Sequence, residues 1–314
     1  MKRLLKVLLV IIGIVVLVLT GLMIFISNKS PEVFENKAPD VTVTPDSAKV
    51  AEGARMASLL CVNCHGGEDG TLSGHFMPDT KVFGTLYAPN ITHHENSRLH
   101  GYTDGELMYL FRTGIKKDGL YAPPWMPKFP HLSDYDVECL ISFLRSDNPM
   151  LKGSDVVQPA PEPSFLAKAL TTFVFKPLPY PTEAIPQPNQ DDPVEFGKYL
   201  AVAKFDCYGC HSEDFATLNT MEPEKSPGFF GGGNNLLRKD GTPIISPNIT
   251  MDETGIGSWT EDQFVTCVRY GERPSGIATQ YPMVPFSNMT EKEVKAIWAY
   301  LQTVPKIKRE NPKS

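Results

Sequence analysis

Two five-residue stretches, CVNCH (Cys61–His65) and CYGCH (Cys207–His211), constrain this chain more than anything else in it. C-x-x-C-H is the spacing for covalent haem attachment: two thiols add across the porphyrin vinyl groups and the adjacent histidine ligates the iron. The spacing works because one short helical turn presents all three groups to one haem edge. A C-x-x-C redox pair would be expected in a βαβ setting, which the sequence lacks. A four-cysteine zinc site would need both pairs in one domain, whereas the first cysteines stand 146 residues apart. The expectation is two covalently bound haem c groups, with Cys61, Cys64, Cys207 and Cys210 as thioether sites and His65 and His211 as iron ligands.

The motifs belong to a larger duplication. APNIT (Ala88 to Thr92) answers SPNIT (Ser246 to Thr250), and TDGELMYLFRTG (Thr103 to Gly114) answers TEDQFVTCVRYG (Thr260 to Gly271). LSDYDVECLISFLRS (Leu132 to Ser146) answers MTEKEVKAIWAYLQT (Met289 to Thr303). The offsets, 146 at the first cysteine, 158 at the asparagine and 157 at the last helix, drift little and keep their order, so an internal repeat with a loop insertion in the second copy is indicated. Thr103 with Glu106, Thr260 with Gln263 and Thr290 with Glu293 have capping-box spacing, and Ser133 with Asp136 is a weaker relative. Gly114 and Gly271 stand where a C-terminal glycine stops a helix. No strand alternation stands out in either copy. The predicted fold class is all-α: two tandem cytochrome c-like haem domains after an N-terminal transmembrane helix.

From Val7 to Ile26 the chain carries no charge, and a helix of that length spans a hydrocarbon core of roughly 30 Å. Lys2, Arg3 and Lys6 precede it and Glu32 and Glu35 follow, which leaves the N-terminus cytoplasmic and places the rest outside, in the periplasm. A cleaved signal peptide is the rival, but the apolar run is long and no A-x-A-like site follows. The expected organisation is an anchor over 1–27, a linker over 28–48, a haem domain over 49–150, a proline-rich linker over 151–190, a second haem domain over 191–308 and a tail over 309–314. Residues 156–190 hold eight prolines around an apolar island, Phe165 to Phe175, too short to span a membrane. It is expected to strap across one domain; a membrane-surface helix is the alternative. The net charge of −6, with three cations spent in the first six residues, argues against a nucleic-acid partner.

The distal position decides what each iron can do. Met126 and Met283 occupy matching places in the repeat, six residues before Leu132 and Met289. A thioether there closes the iron to added ligands and suits electron transfer. Six of the seven histidines (His65, His75, His93, His94, His100, His131) lie in the first copy, and His211 alone lies in the second. The second distal ligand is therefore no histidine of its own domain; Met283 leads, with Met289 and Met251 behind it. His/His ligation stays open for the first haem. His93 and His94 are expected in a surface loop, since Met251 and Asp252 replace them in the second copy. Cys139 and Cys267 are expected as buried apolar side chains rather than a disulfide. GFFGGGNN (Gly228 to Asn235) lacks the strand and lysine of a phosphate loop and is read as a flexible loop near the second haem. The sequons at Asn28, Asn90, Asn248 and Asn288 are weak signals.

PNITMDETGIGSWTEDQF (Pro247 to Phe264), VRYGERPSG and the methionine loop, with FGTLYAPNIT (Phe83 to Thr92) and FRTGIKKDG (Phe111 to Gly119), resemble the cytochrome c subunits of membrane-bound alcohol, aldehyde and gluconate dehydrogenases. The resemblance implies an anchored subunit facing the periplasm that passes electrons from a catalytic dehydrogenase subunit toward quinone or an oxidase. It also implies Met126 and Met283 as distal ligands. Such subunits commonly carry three haem domains, and this chain has two motifs. The expected function is single-electron transfer without substrate chemistry, between a dehydrogenase or other respiratory donor and a quinone, oxidase or soluble cytochrome. The enzyme alternative is a dihaem peroxidase, which needs an iron that opens to peroxide beneath acid–base groups. No output module suggests a haem-based sensor: only the basic tail residues Lys306, Lys308, Arg309 and Lys313 follow Gln302.

Overall fold

The computed structural model describes residues 2–310. Its first element, α1 (Lys2–Asn28), is a single apolar helix of 27 residues, and at about 1.5 Å per residue it is long enough to cross a membrane. Ile26 is its one buried residue. The helix thus presents almost all of its apolar surface away from the rest of the protein, the arrangement shared by a membrane anchor and a signal sequence.

Two helical halves follow. In the first, α2 (Ser47–Leu60) starts at Asp46, whose carboxylate accepts from the Lys49 amide at 2.8 Å. It runs directly into the one-turn α3 (Val62–His65). α4 (Asp104–Thr113) and α5 (Asp134–Leu144) follow, separated by a long loop. α2 and α5 cross at Gly53, where a Cβ would stand 1.9 Å from the Cys139 carbonyl oxygen. Around that crossing Met56, Leu107, Leu132, Val137 and Ile141 form a closed core.

The second half repeats the plan. α7 (Pro193–Lys198) continues through a π-helical turn over Tyr199–Lys204, and α8 (Cys207–His211), α9 (Glu261–Tyr270) and α10 (Glu291–Leu301) complete it. Gly197 meets α10 as Gly53 meets α5: a Cβ would lie 1.9 Å from the Ala296 carbonyl oxygen. Leu200, Phe230, Val294, Ile297 and Leu301 form the core.

The expectation of a purely helical body needs one correction. β1 (Gly84–Thr85) pairs with β2 (Glu162–Pro163), and β3 (Asn235–Leu237) pairs with β4 (Pro243–Ile245), both antiparallel. Strands of two or three residues are too short to leave an alternating pattern, so nothing in the sequence announced them. β3 and β4 form a hairpin that turns through Gly241 at φ 82°.

Residues 156–190 run as a strap over the first half. Gln158 Nε2 donates to the Gly74 carbonyl at 2.9 Å, Leu178 N to Thr113 O at 3.0 Å, and Ile185 N to the Asp134 carboxylate at 3.1 Å. In mid-strap, α6 (Phe165–Phe173) packs against the end of α1. The halves also meet directly. Leu59 and Leu60, just before the first cysteine, pack on the second half's core, and Tyr199 packs on the first half's.

Candidate haem sites

Cys61, Cys64 and His65 are brought together by the junction of α2 and α3. The Cys61 amide closes α2 on the Ala57 carbonyl at 2.8 Å, and the Cys61 carbonyl then accepts from Cys64 N at 3.1 Å and His65 N at 2.8 Å. One turn therefore carries both thiols and the imidazole. His65 Nδ1 lies 2.9 Å from the Pro89 carbonyl oxygen. A carbonyl only accepts, so Nδ1 carries the proton and Nε2 keeps its lone pair for a metal. Burial holds His65 below the usual imidazole range, which keeps the ring neutral, as a ligand must be.

The second motif is entered differently, through Asp206 at φ 49°, but it holds its histidine in the same way. His211 Nδ1 lies 2.9 Å from the Pro247 carbonyl, and burial again holds the ring below its usual range. The main-chain carbonyl of each histidine is held too, by Gly74 N at 2.8 Å in the first half and Gly232 N at 2.7 Å in the second. Both glycines have positive φ, 79° and 67°, and both press on the residues before the partner asparagine. A Cβ on Gly74 would lie 2.1 Å from Ala88 O, and one on Gly232 would lie 2.5 Å from Ser246 O.

The repeated P-N-I-T block explains itself here. The proline carbonyl orients the histidine. The asparagine side chain ties the block to the end of its half, Asn90 Nδ2 donating to Ser154 O at 2.8 Å and Asn248 Nδ2 to Ile307 O at 2.6 Å. Thr92 and Thr250 donate both amide and hydroxyl to the asparagine oxygen. Asn90 and Asn248 are both buried, which disposes of two sequons as glycosylation sites. The glycine-rich run also differs from expectation: Phe229 and Phe230 are core residues and Gly232 is part of the histidine clamp, so the segment is packed rather than loose.

Cys210 is exposed, yet protein around it pushes its thiol up to about 12, as burial also does for Cys61 and Cys207. Among the described residues no group of three or more His, Cys, Asp or Glu side chains is arranged to hold a metal ion unaided. Two thiols and a neutral imidazole whose Nε2 keeps its lone pair, on one turn, are the set that a covalently attached porphyrin needs, and the residues fit it.

Residues 50–147 match the family model for cytochrome c. This part of the chain is a cytochrome c domain. Membership implies a covalently bound haem c. Over most of its length the chain is also similar to cytochrome c subunits of dehydrogenases. It is 27% identical to the cytochrome c subunit of the quinone alcohol dehydrogenase of Gluconacetobacter polyoxogenes, over 85% of this chain and 58% of that one. It is 26% identical to the gluconate 2-dehydrogenase cytochrome c subunit of Pantoea cypripedii, over 78% and 56%. A shorter stretch is 33% identical to the fructose dehydrogenase cytochrome subunit of Gluconobacter japonicus, over 43% and 26%. The chain thus spans little more than half the length of the first two relatives.

In the cytochrome c domain Met126 sits in a separate loop after α4, half-buried against the core. The loop is tied by Ala122 N to Gly114 O at 2.6 Å and Phe129 N to Phe111 O at 2.7 Å. The Met283 loop is tied identically, by Thr279 N to Gly271 O at 2.7 Å and Phe286 N to Val268 O at 2.8 Å, so the two methionines are equivalent in space as well as in sequence. Met289 is buried in the core and Met251 packs beside it. Three of the other histidines bond to main-chain carbonyls: His75 Nδ1 lies 2.7 Å from Gly66 O, His131 Nε2 2.9 Å from Thr220 O, and the exposed His93 ring 2.7 Å from Leu144 O. Cys139 and Cys267 are buried thiols on α5 and α9. Arg309, expected in the tail, instead spans Gly232 and Glu213, with its guanidinium 3.1 Å from the Glu213 carboxylate; Lys313 lies outside the described residues.

Proposed function

We propose that the chain is a membrane-anchored dihaem c-type cytochrome that transfers single electrons. The observation that carries this is the identity of the two histidine clamps: His65 on Pro89 and Gly74, His211 on Pro247 and Gly232, each with the same partners and nearly the same distances. A haem c bound at each motif supplies a one-electron iron couple. Cys61, Cys64, Cys207 and Cys210 hold the two groups by thioether bonds. His65 and His211 would each ligate an iron through Nε2, with Met126 and Met283 as the second ligands. The haem domains are assigned to 49–150 and 191–308, joined by the strap.

The donor is a catalytic dehydrogenase subunit, and the acceptor a quinone, an oxidase or a soluble cytochrome. This is supported by the names of the three relatives above, each a cytochrome subunit of a dehydrogenase. The peroxidase reading has no such support. α1 is a retained anchor, with its basic end in the cytoplasm and both haem domains in the periplasm.

The test is haem stoichiometry and ligand chemistry on protein purified from membranes, with identification of co-purifying subunits. Two haems per chain, both low-spin and inert to carbon monoxide when reduced, are expected. One haem per chain, or an iron that binds carbon monoxide, would sink the proposal.

A further inference from the structure

α6 has an exposed apolar face that the electron-transfer sites do not use. Its start is fixed: the β1–β2 pairing delivers the chain to Ser164, whose amide donates to Phe83 O at 2.8 Å and whose hydroxyl caps the helix on Ala167 N at 3.2 Å. One side of the helix is inward, marked by the buried Ala167. The other side carries Phe165, Leu166 and Phe173, which recur at helical spacing, with Val174 just beyond the end; all four are between 44% and 56% exposed. Val82, whose carbonyl accepts from the Ser164 hydroxyl, adds a fifth exposed apolar side chain beside them. Large apolar side chains gathered in one place on a soluble surface mark a contact.

The position of the patch says with what. α6 lies against the last turn of α1: Lys168 Nζ is 3.4 Å from the Ser27 carbonyl, and Lys176 Nζ pairs with Glu32 at 2.8 Å, four residues beyond the helix end. Where α1 leaves the hydrocarbon, α6 begins. At about 1.5 Å per residue its nine residues reach less than half-way across a bilayer, so it cannot span. It has the makeup of a helix that lies in the interface: aromatic and aliphatic side chains on one face, with Lys168 in the helix, Lys176 just beyond it and Lys29 just past the end of α1. Lys176 is already paired with Glu32, which leaves Lys29 and Lys168 as the cations that complement anionic lipid.

We infer that α6 lies in the outer leaflet of the bilayer that α1 crosses, with Phe165, Leu166 and Phe173 at the boundary between headgroups and acyl chains, a second contact that sets the height and tilt of the first half above the membrane. This rests on α1 being a retained anchor. The occupant is lipid, rather than a second copy or another subunit, because the patch continues the lipid-facing surface of α1.

The test is photo-crosslinking of the full-length haem-loaded protein in liposomes containing a phospholipid with a diazirine on its acyl chain, with adducts mapped by mass spectrometry. Adducts are expected in both α1 and the 165–174 segment. In the Phe165→Glu/Phe173→Glu double variant, α6 adducts should fall at least five-fold while α1 adducts and haem content are unchanged. Adducts in α1 with none in α6 would overturn the inference and leave the anchor standing; a protein or water then covers the helix. Adducts absent from α1 would remove the anchor reading and this inference with it.

Discussion

Arg55 on α2 and Glu293 on α10 join the two halves through a bond of 2.8 Å between Nη2 and Oε1. Around it Glu52 accepts from Arg55 at 2.7 Å and from Lys204 at 2.8 Å, and Lys204 reaches Asp136 at 3.0 Å. Tyr199 donates to the same Asp136 carboxylate at 2.5 Å. Each charge has partners of opposite sign, and Lys204, Asp136 and Glu293 are buried. Such a network adds little over an apolar contact, but removing one member strands the others. Lys204→Ala leaves Glu52 and Asp136 short of a cation and should cost about 3 kcal/mol. Chemical denaturation should then split a shared transition into two, one for each half.

Acid should open the same junction. Burial pushes Glu52 upward, but hydrogen bonds from Arg55 and Lys204 outweigh it and leave the carboxyl below the ordinary value of 4.5. A depressed carboxylate contributes its stability above the unfolded value and loses it as pH falls through the folded one. Denaturation midpoints should hold down to about pH 4.5 and drop below it, and Glu52→Gln should flatten that drop.

The glycines behind the histidines give a paired test. In Gly74→Ala and Gly232→Ala the new Cβ meets backbone at 2.1 Å and 2.4 Å and φ stays positive. Each should cost on the order of 2–4 kcal/mol and loosen its own site. Haem absorbance per chain should fall toward half in either variant, and the surviving haem should differ between them.

Gly53→Ala opposes two effects of known size. Alanine gains about 1 kcal/mol of helix propensity over glycine, but its Cβ would lie 1.9 Å from Cys139 O in the α2–α5 crossing. The overlap outweighs the propensity, and a net loss of about 2–3 kcal/mol is expected by thermal unfolding. Gly197→Ala should behave alike against Ala296.

Met283→His should lower the midpoint potential of one haem and leave two haems per chain, read by optical redox titration. An unmoved potential would remove Met283 from the iron.

Much of this was open to a reader of the sequence because it is local. The three capping boxes at Thr103, Thr260 and Thr290 form as their spacing predicts, and Gly114 and Gly271 take left-handed conformations at their helix ends. A cap is decided within four residues, so four residues suffice to see it. The histidine clamps were hidden because their decisive atoms are main-chain: the Pro89 and Pro247 carbonyls and the Gly74 and Gly232 amides carry no side-chain signature. Their one trace was the P-N-I-T repeat, visible without its reason. The Arg55 network was hidden because it depends on how segments more than a hundred residues apart come to lie; the apolar run of α6 was visible, and only its place beside the end of α1 was not.

The asparagine of each P-N-I-T block is tied far downstream, Asn90 to Ser154 and Val156, 64 and 66 residues later, and Asn248 to Ile307 and Arg309, 59 and 61 residues later. The histidines themselves are held by nearer partners, His65 by Pro89 and Gly74 and His211 by Pro247 and Gly232, so the asparagine bonds are the long-range part of each clamp. Each half is thus latched at its own far end, so the residues that complete a half also tie down the block that orients its histidine.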